Sequence, residues 1–556
     1  MSRLADPLVI LPLLVPLLGG ILLLLLRGSA TPLRRTLSML AVQILFGVSL
    51  LLLLAVKDGT ILVYQLGDWP APYGISLVAD RLSAMMVLLT SLLAAMVMLH
   101  AIHGSDRKGR QFHVLFQFQL FGLNGAFLTG DLFNLFVFFE VLLIASYGLL
   151  LHGLGRERSR AGLHYVVVNL VGSSLFLLAV GTLYGVLGTL NMADLSVRLA
   201  ELPETAPAAD LARQQALVAA AALLLMVVFA LKAGLAPLHL WLPGAYASAG
   251  PAAAALFAIM TKVGAYAILR VSTLVIAPGD TDLSALIAQT LVVLGLVTIV
   301  AGSIGVLSSR RLGVTVAYLV VVSSGTLLLA FGLGDTGAGP AESMAAGLYY
   351  LLHSTLIAAA LFLLTDKLAD TRGRYRDRLV AGPALPATNL LGGLFLVLAI
   401  AVAGLPPLSG FIGKVLILES ALAHPWLPWV LGVVLITSLM NLAAVSRAGT
   451  LLFFKTAHGA EKARLPQPAY LVPVIGLASL ALLLVVLAEP AYRFASATAA
   501  QLAAPDAGGG YIEAVRATAE EGRLGVAATV DLELGQEPGP QQDEGASGGH
   551  GRGHAP

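Results

Sequence analysis

Cysteine is absent from all 556 residues, which removes structural disulfides, thiolate zinc sites, iron–sulfur clusters and cysteine nucleophiles together. Any redox chemistry would have to be housed in a partner. Charge is scarce as well: Asp, Glu, Lys and Arg make up 12% of the chain, against about 25% in an ordinary soluble domain. The formal net charge of +2 leaves no basic excess for a nucleic acid to meet. Apolar residues fill the space, at 58% of the chain with a mean hydropathy of +0.88. The 58 glycines fit the same picture, because glycine is more frequent in membrane helices than in soluble ones. The chain belongs in a bilayer. Its first apolar run, 8–26, has no small-residue cleavage site followed by a soluble sequence, so it reads as a membrane helix and not as a removable signal.

Crossing the hydrocarbon layer takes roughly 20 apolar residues as helix. The sequence offers about fourteen such runs: 8–26, 37–56, 80–102, 112–129, 131–151, 162–187, 215–235, 251–276, 284–307, 313–333, 343–365, 388–404, 428–452 and 469–488. Leu and Ala dominate them, and no period-2 alternation marks a barrel strand. The predicted fold class is an all-α polytopic membrane protein. Loop charge tests the count, because Lys and Arg collect in cytoplasmic loops. Arg27/Arg34/Arg35, Arg107/Lys108/Arg110, Arg156/Arg158/Arg160, Arg310/Arg311, Arg372/Arg374/Arg376/Arg378 and Lys455/Lys462/Arg464 fall in alternate connections. The connections between them carry Asp68, Asp194/Glu201/Glu204/Asp210, Asp280/Asp282 and Asp335/Glu342. This alternation predicts both termini on the side opposite the cytoplasm. Beyond 488 the composition turns to Gly, Pro and acid, and 489–556 reads as a largely disordered tail with a short amphipathic piece near Tyr511–Glu521. His550 and His554 in its last residues could bind a metal weakly, but a flexible end is the preferred reading.

Two stretches look alike. "AGLAPL" (Ala233–Leu238) and "AGLPPL" (Ala403–Leu408) each end an apolar helix that then resumes. Gly and Pro free backbone carbonyls, tolerated at membrane depth only inside protein or beside a hydrated cavity. Paired broken helices in two halves of a transporter point to its transport path. Their spacing suggests an internal repeat of about five helices, inverted by the odd number.

Charges inside the runs are few, and each costs about 2.5–3.5 kcal/mol on insertion scales. Glu140 lies about nine residues into its helix, roughly 14 Å deep at 1.5 Å per residue. Lys232 precedes the first break, Lys262 is mid-helix in "ALFAIMTKVGAYAIL", Lys414 follows the second break, and His353 is mid-helix in "YYLLHSTLIAAALFLL". A structural alternative stands beside each: an ion-pair partner, a satisfied histidine, or a lysine reaching an interface along its stem. Asp131, His100, His103 and His152 lie near membrane surfaces, where mouth residues and solvated ends look the same. His239 beside the first break could line a cavity, and Glu419 could serve an exit, though either could be a local hydrogen-bond partner. Asn124, Asn134, His164, Asn169 and Asn441 read as helix–helix hydrogen-bonding residues. The chemistry that needs such a set is proton translocation. Free lysine and glutamate, near 10.4 and 4.3, are poor relays at pH 7, and burial draws both classes toward neutrality. A carboxylate about 4 Å from an ammonium adds about 4 kcal/mol at an effective dielectric near 20, so opening and closing such a pair loads or ejects a proton.

The motifs "TGDLFNLFVFFEVLLIASYGLL" and "ALKAGLAPLHLWLPGAYASAGPAAAALFAIMTKVGAYAILR" resemble the antiporter-like subunits of respiratory complex I and of Mrp-type cation/proton antiporters, closest to the D-type chain of the latter. The resemblance covers about 8–488. It implies fourteen core helices with two inverted five-helix repeats, helices four to eight and nine to thirteen, and broken helices seven and twelve. On this chain that gives N-terminal helices in 1–110, a first repeat in 111–278, a second in 279–455, a last span in 456–488 and the tail. It further implies a gate pair Glu140–Lys232, with Lys262, His353 and Lys414 continuing the relay, and His239, Glu419 and Asp131 as secondary path candidates. Several relatives carry a lysine shortly after the histidine, where this chain reads "STLIAAALFLL", so the central link would rest on His353 and water. The resemblance implies a Na⁺/H⁺ antiporter subunit in the cell membrane, without a cofactor, assembled with Mrp subunits of the A, B, C, E, F and G types. Its sodium site is not assignable from the residues. Two other readings share these parts: a pumping subunit of a complex I-like NADH:quinone oxidoreductase or membrane-bound hydrogenase, and a scaffold whose charges only hold helices together.

Overall fold

The computed structural model describes residues 2–26, 28, 30–109, 111–335, 340–457, 468–505 and 510–520. Arg27, Arg110, Lys462, Arg464, His550 and His554, and the tail from 521 onward, lie outside the described residues. The N-terminal part comprises α1 (Ser2–Leu25), α2 (Thr31–Val56) and α3 (Arg81–Ala101). There follow α4 (Phe112–Leu128), α5 (Leu132–Leu151), α6 (Arg156–Leu187), α7 (Met192–Thr205), α8 (Leu211–Ala233), α9 (Trp241–Ser248), α10 (Pro251–Phe257) and α11 (Met260–Val271). The second half comprises α12 (Thr281–Ser308), α13 (Leu312–Gly332), α14 (Pro340–Thr371), α15 (Thr388–Ala403), α16 (Ser409–Ser420) and α17 (Leu427–Gly449). The chain then forms α18 (Val472–Val486) and α19 (Ala488–Ala503).

Eleven helices among the described residues are long and apolar enough to cross a membrane, or twelve if the bent pair α18 and α19 is one span. Two more apolar helices, α4 and α15, are too short by that measure, so length alone does not reach the expected fourteen. The reason at α15 is the break itself, which divides one apolar stretch into two short pieces.

Both breaks use the same backbone device. Gly234 and Gly404 take the left-handed conformation, φ 73° and 79°, which a glycine enters without a Cβ clash. At each, the glycine N–H reaches the carbonyl three residues back and the next residue's N–H reaches the carbonyl five back: Gly234 to Leu231 and Leu235 to Ala230, Gly404 to Ala401 and Leu405 to Ile400. This is a Schellman cap, placed in the interior of the bundle.

A second recurrence ties the halves together. Leu132 N–H donates to the Leu190 carbonyl and Met192 N–H to Gly130; correspondingly, Leu312 donates to Asp377 and Leu379 to Arg310. In each half the start of one helix is thus strapped to the segment after the next, at α5 near Asp131 and Asn191 and at α13 near Arg311 and Arg378. Five crossings (α5, α6, α8 with α9, α10 with α11, and α12) lie between the start of α5 and the start of α13, and an odd number puts the two straps at opposite ends of the bundle.

Three features depart from the expected layout of spans, connections and tail. Residues Leu62–Gln65 and Ser76–Ala79 pair as an antiparallel hairpin, β1 and β2. The acidic connection expected at 194–210 contains α7, an amphipathic helix burying Leu195, Leu199 and Leu202. The expected tail is folded beyond 488. The helix α19 turns 80° from α18 and buries Ala495, Ala499 and Leu502. Residues 511–520 are helical, with Tyr511, Ile512 and Val515 buried. Sparse apolar residues at helical spacing suffice to dock a surface helix; those near Tyr511–Glu521 were expected from the sequence, and those of α19 were hidden by the composition around them.

Candidate functional site

Four bases sit on the helices that surround the two breaks. Lys232 ends α8, and its ammonium donates to Asn169 Oδ1 of α6 at 3.3 Å and lies 5.8 Å from the centre of the Phe139 ring. Glu140, on α5, accepts from Ser173 Oγ of α6. Asn169 and Ser173 are one helical turn apart, on the same face of α6. The expected direct pair is therefore open: among the described residues, no ion pair within 4 Å joins Glu140 to Lys232. The two groups are bridged through α6, and Glu140 still acts on Lys232 through space.

Lys262 is completely buried and donates to Ser323 Oγ of α13 at 2.8 Å. Its helix runs hard against the end of α8, because Gly264 leaves the Ala233 amide and the Lys232 carbonyl carbon where a Cβ would stand, at 2.5 and 2.9 Å. His353 of α14 is buried, with Nδ1 2.8 Å from Ser409 Oγ at the start of α16, and the charges of Lys414 and Lys262 both reach it. Lys414 donates to the Ala403 carbonyl at 2.8 Å and to Ser438 Oγ of α17 at 2.9 Å. That carbonyl is one the second break releases, so the break supplies a ligand for the base that follows it. Each base is held by neutral oxygen partners.

The secondary candidates are not gathered into this set. His239 is buried in the turn after the first break, with Nδ1 unpartnered among the described residues. Glu419 is exposed at the end of α16. Asp131 caps α5 by accepting from the Asn134 amide at 2.8 Å. His103 and His152 meet backbone carbonyls of Leu99 and Ser105, Asn124 meets that of Pro12, Asn134 donates to Thr129, His164 is exposed, and Asn441 is buried.

Sequence reading missed the hydroxyl partners Ser173, Ser323, Ser409 and Ser438, which carry no motif of their own. It also missed two buried ion clusters. Arg270 of α11 makes a bidentate pair with Asp80, at 2.6 and 2.8 Å. Asp366 meets His100 and Lys367, each at 3.0 Å. Asp366 was missed because the expected span stopped at 365, while α14 runs on to Thr371. The directly contacting carboxylate that marks these clusters is what Lys232, Lys262, His353 and Lys414 lack among the described residues. Among the described residues no group of three His, Cys, Asp or Glu could hold a metal ion.

Fold and site together define a polytopic membrane protein with buried bases at two broken helices, the architecture of an ion-translocating subunit. Residues 129–441 match the profile of the family "NADH:quinone oxidoreductase/Mrp antiporter, TM". A Rhizobium meliloti protein, named as the D chain of a probable K(+)/H(+) antiporter, is 42% identical over 90% of this chain and 96% of its own length. Its counterpart in Bacillus subtilis, named as the D chain of a Na(+)/H(+) antiporter, is 39% identical over 83% and 88%. A chain of the Mrp complex from Dietzia superposes with a TM-score of 0.80 at 27% identity, covering 93% of this chain and all of its own. The chain belongs to the NADH:quinone oxidoreductase/Mrp antiporter family.

Proposed function

We propose that this chain is the proton-conducting subunit of a multi-subunit monovalent cation/proton antiporter. The relay runs Glu140, Lys232, Lys262, His353, Lys414, with Glu140 and Lys232 as its gate. One observation carries the reading: Lys232, Lys262, His353 and Lys414 are buried, and their hydrogen-bond partners are an amide, hydroxyls and a carbonyl. An ammonium buried without a counter-ion costs several kcal/mol, so a set of purely structural charges would be paired as Asp80 and Arg270 are. Serine hydroxyls both donate and accept, which lets Ser323, Ser409 and Ser438 hand a proton on in either direction. Glu140 approaching Lys232 stabilises the charged lysine, and its retreat to Ser173 releases that proton toward Lys262.

The names of the relatives support cation/proton exchange, one with K⁺ and one with Na⁺. Mrp subunits of the A, B, C, E, F and G types are the partners this reading calls for, in the cell membrane with the basic loops cytoplasmic and both termini opposite. The reading calls for no redox cofactor. The family profile also takes in NADH:quinone oxidoreductases, so a redox-driven pump is the second reading, favoured if the purified complex contains iron and flavin. The test is cation/proton exchange in vesicles by complexes carrying Glu140→Ala or Lys232→Ala. Loss of exchange with normal assembly supports the relay. Wild-type exchange by both variants refutes it, and loss of assembly alone favours a scaffold.

A further inference from the structure

Away from the relay, a cavity of about 830 Å³ opens on the face that carries the basic loops, within the range of small-molecule sites. Both halves of the fold wall it: the α5–α6 connection and the α9–α10 junction on one side, the ends of α13 and α14 on the other. Seven lysines or arginines and four carboxylates line it, a formal excess of three positive charges. The carboxylates are engaged. Asp377 and Glu157 meet Arg311 at 3.2 and 3.5 Å, and Asp366 and Asp370 meet Lys367 at 3.0 and 3.8 Å.

Of the other cations, Lys108, Arg156, Arg158, Arg372 and Arg376 form no ion pair within 4 Å among the described residues. Arg158 donates to the carbonyls of Ser248 and His152, and Arg372 to those of Arg376, Arg378 and Val380. These bonds fix the guanidinium groups without pairing them with a carboxylate, and Asp377 acts on Arg372 only through space. Lys108, Arg156 and Arg376 have no carboxylate within 4 Å among the described residues, and Arg376 presses its like charge on Arg158. A second observation is independent of charge. Tyr246 is buried, lines the cavity, and has a hydroxyl with no hydrogen-bond partner among the described residues.

We propose that this cavity binds a phosphate-bearing anion, which bridges the two halves beside the continuation of the first broken helix. Lys108, Arg156 and Arg376 supply its counter-charge, the fixed Arg158 lends a further positive charge, and the Tyr246 hydroxyl donates to one of its oxygens. Clusters of lysine and arginine at the edge of a membrane domain suit phosphate headgroups, and the same chemistry accepts free phosphate. A vestibule for incoming cations would need the opposite sign, since a positive surface repels H⁺ and Na⁺ alike.

The test uses the intact complex in two arms. In the first, inorganic phosphate and pyrophosphate are titrated against the detergent-purified complex, and the unfolding temperature is followed at constant ionic strength. In the second, the complex is placed in nanodiscs of phosphatidylcholine with or without roughly a quarter phosphatidylglycerol. A saturable rise weakened at least tenfold in Lys108→Gln/Arg156→Gln/Arg376→Gln supports the site, with the responding arm naming free phosphate or a lipid headgroup as the source. No rise in either arm, or the same rise in wild type and variant, overturns it. A measurement on the wild type alone guards against a misfolded variant. Acylation of Lys108 by an activated ester, quantified by mass spectrometry, slows severalfold when the responding anion is present, and an unchanged rate overturns the proposal.

Discussion

Replacing Asn169 by Asp puts a fixed counter-ion where the structure has a neutral partner. Asn169 is buried, and its Oδ1 lies 3.3 Å from the Lys232 ammonium. Asparagine and aspartate are nearly isosteric, so the new carboxylate occupies the same place. At 3.3 Å and an effective dielectric near 20, Coulomb's law gives about 5 kcal/mol in favour of the ammonium over the amine. Each 1.4 kcal/mol or so is a factor of ten, so the proton would leave Lys232 more than a thousandfold less readily. Exchange in vesicles, followed by a pH-sensitive dye after a cation pulse, is expected to fall at least tenfold, the proton step having become rate-limiting. Assembly, read by co-purification of the partner subunits, is expected to stay normal because the new charge is paired. Asn169→Leu separates the two roles of the residue. It removes the hydrogen bond without adding charge, costs about 1–3 kcal/mol, and should leave more exchange than Asn169→Asp. Wild-type exchange by an assembled Asn169→Asp complex across pH 6 to 9 would refute the reasoning, since a permanently charged Lys232 cannot relay.

Three more outcomes follow from the geometry. Asp106, outside the spans, is buried against Arg35 at 2.6 and 2.7 Å and His113 at 3.3 Å. Burial alone would raise its carboxyl, but hydrogen bonds from His113 and Arg35, with the Arg35 charge, hold it well below the usual range. A depressed carboxyl stabilises the fold above its unfolded value near 3.9 and loses that contribution as pH falls below it. Asp106→Asn should therefore lower the unfolding temperature at pH 7, by a loss of about 2–3 kcal/mol, with the gap to wild type narrowing only below about pH 4. Gly404→Ala places a methyl 2.6 Å from Lys414 Cδ at a φ of 79° and should abolish exchange, whereas Gly393→Ala, with nothing within 4 Å, should leave it unchanged. Tyr511→Ala removes a buried ring 5.2 Å from the Arg270 guanidinium and should cost about 3 kcal/mol, seen as a lower unfolding temperature; no change would mean that helix 511–520 does not dock.

The sequence disclosed what long-range composition and backbone chemistry write into it. Apolar length announced the spans, and the glycine and proline of "AGLAPL" and "AGLPPL" located both breaks, because only Gly fits the left-handed cap that ends each helix. The buried bases were legible for the converse reason, a charge within an apolar run being rare enough to count. Three-dimensional partnerships were not legible. Nothing near Arg270 names Asp80, 190 residues away, and serines scattered along apolar helices do not announce which of them faces a lysine. Asn169 was read as a generic helix-joining residue, and its role as the Lys232 acceptor emerges only from the packing of α6 on α8. The docked segment α19 was hidden by averaging, since a few apolar residues at helical spacing are diluted by the alanine and polar residues around them, whereas the amphipathic piece near Tyr511–Glu521 could be read and is helical over 511–520.

The contrast between Arg270 and the four bases of the proposed relay bears on how one bundle would be both rigid and conductive. Arg270 is buried like Lys262, yet it has a bidentate carboxylate, a Tyr266 hydroxyl at 3.3 Å and the Tyr511 ring. Such a group keeps its charge at any pH the protein meets, because separating it from Asp80 would leave two uncompensated charges in the interior. Its place is structural, pinning the end of α11 to the start of α3. Lys262, eight residues earlier on the same stretch, has the Ser323 hydroxyl as its hydrogen-bond partner and no carboxylate within 4 Å among the described residues. Breaking α8 and α15 extends that condition. The second break turns the Ala403 carbonyl toward Lys414, a partner that accepts a hydrogen bond without fixing a proton. On the proposed relay, the chain places carboxylates where a charge must stay and withholds them where a proton would move, with Glu140, held by Ser173 one turn from the acceptor of Lys232, as the carboxylate of the gate.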